Sequence, residues 1–133
     1  MKTPRAVLDT NILVSALMSP SGSPAKVYKM FLAETVVLVF SEEILAEYKD
    51  VLYRPHLRIP ADDANKVLEA IRQYGELVEP VTSIDYMVDE DDRVFYDTAK
   101  SAAAFLITGN TRHYPEESFI TTPTKFLEAH ERS

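Results

Sequence analysis

Ala6-Val7-Leu8-Asp9-Thr10-Asn11-Ile12-Leu13 is the stretch from which the rest of the chain can be read. Three apolar residues end abruptly at an aspartate. Beyond it Ile12, Leu13, Ala16 and Leu17 recur at helical spacing. The apolar run is read as a short buried strand, so Asp9 stands where a strand meets a helix. The segment is expected to be structure and not a secretory leader, because Asp9 and Asn11 interrupt its apolar part and no clear small-residue cleavage site follows.

The same alternation continues outward. Residues 19–24 read as a loop, with Ser23 as cap and Pro24 as first residue of a helix presenting Val27, Met30 and Phe31. Val36-Val37-Leu38-Val39-Phe40 is the strongest strand, apolar on both faces as expected of a central strand covered by helices. Ser41 caps a helix striped by Ile44, Leu45, Tyr48, Val51 and Leu52. Pro55 and Pro60 bracket a loop, and Asp62 or Asp63 starts a helix bearing Ala64, Val67, Leu68 and Ile71. Residues 77–81 read as a short strand. A helix follows Asp91-Asp92 to about Ala104, residues 105–108 form a buried strand stopped by Gly109-Asn110, and Pro123 precedes a last short helix with Phe126 and Leu127. Strands alternating with helices predict an α/β fold: a three-layer α/β/α sandwich with right-handed crossovers and a mostly parallel central sheet. One domain is expected over residues 1–133. Ligands of such folds bind beyond the carboxyl ends of the strands, where this chain places Asp9, Ser41 and Asn110.

Composition narrows the chemistry. The 133 residues include only three glycines and neither of the glycine-rich phosphate-binding motifs. There is no cysteine, hence no disulfide framework and no thiolate metal site. No apolar run approaches the roughly 20 residues of a bilayer span, and a cytoplasmic protein is expected. The net charge of −7 argues against a broad phosphate-binding surface. A nucleic-acid enzyme would carry this charge only if bound cations supplied the positive field at its site.

The acidic residues therefore carry the question. Asp9 is either a hard oxygen ligand for Mg²⁺ or Mn²⁺ or a helix N-cap, and Asn11 is expected to hydrogen-bond locally and orient it. Glu42 and Glu43 suit the helix dipole. Glu47 borders the apolar stripe, where a partly desolvated carboxylate needs either a Lys or Arg partner or a metal. The run Asp89-Glu90-Asp91-Asp92 is a solvated turn and helix start, with Asp91 or Asp92 as cap, unless it lies near Asp9. There its mutual repulsion would call for a cation. Asp97 reads as a group behind the metal ligands or as a salt-bridge partner of Arg93. Asn110 is an uncharged ligand or a turn residue that tolerates left-handed geometry. Arg112 and His113 are loop residues able to face a substrate phosphate.

Asp9-Thr10-Asn11, Ser41 with Glu47, Asp91-Asp92 leading into a helix, and Thr108-Gly109-Asn110 resemble, in order and spacing, the PIN domain. Within it they are most similar to the toxin branch of toxin–antitoxin systems related to VapC-type toxins. The resemblance runs from about Arg5 to Leu127. It implies an α/β/α sandwich, Mg²⁺- or Mn²⁺-dependent endoribonuclease activity on single-stranded or structured RNA, an antitoxin partner and a homodimer. It maps the catalytic, metal-holding acids onto Asp9, Glu47 and Asp92. Asp92 is preferred to Asp91 because the third acid of the family stands seven residues before a packed alanine, here Ala99. The chain departs from the pattern at Asn110, where many members carry Asp. That removes one charge and argues against a tightly bound metal pair, with Asp89, Asp91 and Asp97 as the acids that would compensate.

Three rivals differ in what they require. A PIN-like binding module with lost or weak catalysis is favoured by Asn110. A haloacid-type phosphatase needs a second Asp two residues after the first, and position 11 is Asn. A receiver-type phosphoacceptor needs an acid ending a middle strand, and none follows residues 36–40.

Overall fold

The computed structural model describes residues 3–130. Five parallel strands form one sheet, in the order β3-β2-β1-β4-β5: β1 Arg5–Leu8, β2 Val37–Phe40, β3 Glu76–Leu77, β4 Phe105–Ile107 and β5 Ile120–Thr121. Six helices sandwich it: α1 Thr10–Met18, α2 Ser23–Leu32, α3 Glu42–Leu52, α4 Ala61–Tyr74, α5 Arg93–Ala102 and α6 Pro123–His130. α2 packs against α1 and α6, while α3 packs against α4 and α5. The last three residues of β1 and of β2 are buried, which is why those positions are apolar on both faces, Arg5 standing at the half-buried start of β1. β1 lies between β2 and β4, so the chain reverses its direction of travel across the sheet at the carboxyl end of β1. Ligands of doubly wound sheets bind at such a switch point.

Several boundaries differ from the sequence expectation. Residues 77–81 are not a strand: pairing with β2 stops after Leu77, apart from one bond from the Val78 N–H to the Phe40 carbonyl. Pro80 has no N–H to continue the ladder. β5 is an additional strand, recruited by the register Leu106↔Ile120. α2 begins at Ser23 with Gly22 in the cap position, and α4 begins after Pro60. α5 stops at Ala102, because Ala103 turns left-handed (φ 53°) and lets Ala104 enter the core. Neither Asp91 nor Asp92 caps α5 through its side chain. Instead Asp89 accepts the Asp91 N–H (3.0 Å) and closes a short 3-10 turn, Glu90–Asp92, ahead of the helix.

The chain from 78 to 89 runs without regular structure. It exposes Ile84 and Tyr86 and is anchored by buried Met87. Gly75 ends α4 where no side chain fits: an added Cβ would stand 2.5 Å from the Ile71 carbonyl oxygen and 3.0 Å from that of Leu38. No described helix is long and apolar enough to cross a membrane.

Candidate active site

Asp9 follows β1, and its N–H donates to the Ile107 carbonyl of β4 (3.0 Å). It occupies the cap position of α1, yet its side chain makes no capping bond. Its Oδ2 instead accepts two hydroxyls, Thr108 Oγ1 at 2.9 Å and Tyr114 Oη at 3.1 Å. Thr108 Oγ1 in turn accepts the Asn110 N–H (3.1 Å), so the turn after β4 is tied to the carboxylate at the end of β1. The orienting role expected of Asn11 falls to these two hydroxyls, because Asn11 is exposed on the first turn of α1.

Glu47 is half-buried on α3. Ser41 fixes the start of that helix by accepting the Ile44 N–H at 3.2 Å. The expected alternative for Glu47 was a salt bridge. Among the described residues no Lys or Arg is ion-paired with Asp9, Glu47 or Asp92. The partner of Glu47 is the buried Thr10 hydroxyl. Burial raises the Glu47 pKa against that hydrogen bond, and the charges of Asp9 and Asp91 raise it further. Asp92, half-buried at the start of α5, is pushed up to about 6, first by burial and then by Asp9, Asp89 and Glu47, with His113 opposing. His113 Nδ1 stands 3.7 Å from Asp92 Oδ2.

The three acids thus share one electrostatic space, although they come from the end of β1, from α3 and from the 3-10 turn ahead of α5. Among the described residues no three acidic or imidazole groups are placed, as they stand, to hold a metal ion. Like-charged carboxylates repel one another, and a divalent ion reverses that balance. The donor set, three hard carboxylates with no organic cation between them, fits Mg²⁺ or Mn²⁺. The two phenols nearby stay protonated and act as donors. Tyr114 is raised by burial, then by Asp9 and Asp92; Tyr48 is raised by burial, then by Asp9 and Glu47, and bonds the Leu8 carbonyl (2.5 Å).

The other candidates separate. Asp91 is exposed and lines a neighbouring cavity of about 360 Å³ with Glu47, Arg93 and Asp97. Asp97 is 3% exposed, and its Oδ2 accepts the Ser83 N–H (3.1 Å). It does not pair directly with Arg93. That guanidinium bonds Glu90, both oxygens of Ser83 and the Asp85 carbonyl. Asn110 is exposed at φ −137°, which is not left-handed, and its side chain caps nothing; its backbone closes the turn, with its carbonyl accepting the His113 N–H (3.2 Å). Arg112 and His113 sit exposed in a 3-10 turn, Thr111–His113, beside the acids. Sequence reasoning assigned no role to Tyr114 or to the hydroxyls of Thr10 and Thr108. The only signal was that both threonines lie inside the quoted motifs.

The comparisons with known proteins bear on the family and the fold. The family model described as PIN domain matches residues 5–112. An uncharacterized protein of Methanocaldococcus jannaschii, MJ1680, is 31% identical over 109 residues, covering 80% of this chain and 70% of its own length. Among solved structures, VapBC2 from Rickettsia felis, bound to a DNA fragment from its promoter, has a TM-score of 0.56 at 18% identity over 81% of this chain and 89% of that one. PAE2754 from Pyrobaculum aerophilum has a TM-score of 0.64 at 12% identity over 98% of this chain and 91% of that one. The structural likenesses establish the fold. With the family match running from β1 through the turn after β4, the chain belongs to the PIN domain family, whose members are generally nucleases.

Proposed function

We propose that the protein is a divalent-metal-dependent endoribonuclease that hydrolyses RNA phosphodiester bonds, and that it is the toxin of a toxin–antitoxin pair. The observation that carries the reading is that neighbouring residues tie the three acids together: Thr10, next to Asp9, bonds Glu47, and the consecutive His113 and Tyr114 reach Asp92 and Asp9, with no Lys or Arg salt-bridged to any of the three among the described residues. The likeness to VapBC2 supports an antitoxin partner, and a homodimer is the expected assembly.

Asp9, Glu47 and Asp92 would hold Mg²⁺ or Mn²⁺. When bound, the ion lowers the pKa of water and offsets charge on the phosphate. The protein's part is positional. Thr108 and Tyr114 fix the Asp9 carboxylate, and Thr10 fixes Glu47. His113, beside Asp92, and Arg112, on the same turn, would meet the substrate phosphate. No side-chain nucleophile is required.

The test is cleavage of labelled single-stranded RNA in Mg²⁺ or Mn²⁺, compared with EDTA and with Asp9→Asn purified identically. Equal cleavage by wild type and variant would assign the activity to a contaminant and remove the proposal.

A second reading, a catalytically weak PIN module acting through protein partners, is favoured by Asn110. If position 110 faces the ion, Asn110→Asp adds a formal charge there and Mn²⁺ binds more tightly in calorimetric titration. Unchanged affinity would exclude position 110 from the metal site and favour the module.

A further inference from the structure

We propose that the cavity next to the carboxylates, between the 111–113 turn and the start of α6, binds one nucleotide of the RNA strand with its phosphate between Arg112 and Lys125; the inference rests on the ribonuclease reading above. The cavity measures about 390 Å³, within the range of small-ligand sites. It lies at the same rim of the sheet as the acids, because Thr122 follows β5 as Asp9 follows β1. Tyr114 is the shared wall: it lines the cavity while its hydroxyl donates to Asp9. The turn that carries Arg112 into the cavity also carries His113, 3.7 Å from Asp92. A strand whose scissile phosphate lies at Asp9 and Asp92 therefore meets this cavity with its neighbouring nucleotide.

Charge points to the same place. Arg5, Arg54, Arg72, Arg93 and Lys100 are each paired with a carboxylate. Arg112 and Lys125, like Lys26, Lys29, Lys49, Arg58 and Lys66, form no salt bridge among the described residues, but these two line one cavity. On an acidic chain, two unengaged cations beside the acids form a local counter-field for a phosphodiester. Lys125 is held in place by its own backbone, whose N–H donates to Thr122 Oγ1 (3.2 Å) in the first turn of α6. Two acids also line the cavity. Both oppose an anion: exposed Glu116, and Glu117, which keeps its charge while accepting the Tyr96 hydroxyl of α5 (2.5 Å). Most of this wall lies beyond residue 112, where the family match ends.

The experiment is fluorescence anisotropy of a labelled single-stranded RNA in EDTA over a range of salt concentrations, paired with cleavage kinetics in Mn²⁺. Lys125→Ala and Arg112→Ala should each weaken binding about tenfold. Each should lower the slope of log Kd against log salt by about 0.7, one phosphate contact on a single strand. In cleavage, Lys125→Ala should raise KM with kcat nearly unchanged. Glu116→Gln should tighten binding, and Lys66→Ala, on the exposed face of α4, should change nothing. The inference is overturned, with the nuclease reading intact, if Lys125→Ala matches Lys66→Ala in Kd, salt slope and KM while wild type cleaves RNA. Wild type that neither binds nor cleaves RNA overturns both.

Discussion

Asp9 and Asp97 are both shielded carboxylates, and they are shielded for opposite ends. Asp97 is the deeper of the two, at 3% exposure, and its partners are structural: the Ser83 N–H, with Arg93 holding the same loop through Ser83 and Asp85. Asp9 is only half-buried. Its partners are two hydroxyls that donate without neutralising it, and its electrostatic neighbours are Glu47 and Asp92. On the proposed function, depth of burial does not mark the reactive carboxylate. Asp97 is tied to the fold through one oxygen, Oδ2 on the Ser83 N–H, while its buried Oδ1 has no hydrogen-bond partner among the described residues; a carboxylate kept among like charges instead stores repulsion that a divalent ion can relieve.

Substitution at the two positions should give opposite phenotypes. Asp9→Asn should cut RNA cleavage by more than about a hundredfold, beyond the usual loss from changing a ligand's supporting partner. It should leave the melting temperature of the metal-free protein equal or higher, because it removes one of several repelling charges. Asp97→Ala should do the reverse. It leaves the Ser83 N–H without its acceptor and should cost about 1–3 kcal/mol in chemical denaturation. It should also quicken proteolysis of the 78–89 segment, with kcat within a few-fold of wild type. An Asp97 variant that stays stable but is inactive would erase the distinction between the two sites.

The comparison can be sharpened with pH. Asp92 and Glu47 hold protons more tightly in the folded chain than unfolded, Asp92 up to about 6. The sign follows from linkage: protonation of these groups favours the folded state at low pH, and the benefit disappears as pH rises from about 4 through about 6. Glu42, Asp85 and Glu90 are lowered by Arg72, Lys100 and Arg93 and act in the opposite sense. The contribution of Asp92 is thus read as a difference. In EDTA, the melting temperature of Asp92→Asn minus that of wild type should grow between pH 4 and pH 7, and saturating Mg²⁺ should shrink or reverse it. A difference flat across that interval would mean that Asp92 does not share the charged space with Asp9 and Glu47.

How far the sequence could be read depended on how local each feature was. β1, β2 and β4 were legible because a strand buried on both faces must be apolar throughout. Asp9 was legible because an apolar run stops there and a helix starts. Glu47 was legible because it borders the stripe that buries α3. β5 was not: Ile120–Thr121 sits in a polar stretch and becomes a strand only by pairing with β4. β3 reads too long from sequence because Leu77, Val78 and Val81 outweigh Pro80. The partners of Asp9 lie 99 and 105 residues away, beyond any local pattern, so a neighbouring Asn was credited with work that Thr108 and Tyr114 do.

The smallest expected effect tests whether those distant hydroxyls matter. Tyr114 is 5% exposed, and phenylalanine would fill its volume, so Tyr114→Phe deletes little more than the donor to Asp9 Oδ2. Stability should change by less than about 1 kcal/mol, since losing the hydroxyl removes a hydrogen bond but also the need to bury it. Thr108 still holds the carboxylate, so the site should survive in a looser form. Changing a group that orients a metal ligand typically costs 10–100-fold. With one of two hydroxyls left, about tenfold is expected in cleavage at limiting Mn²⁺, narrowing as the ion is raised to saturation. A merely structural tyrosine would behave differently, lowering the melting temperature while leaving the Mn²⁺ dependence of cleavage where it was. That result would reduce Asp9, like Asp97, to a carboxylate held for the fold.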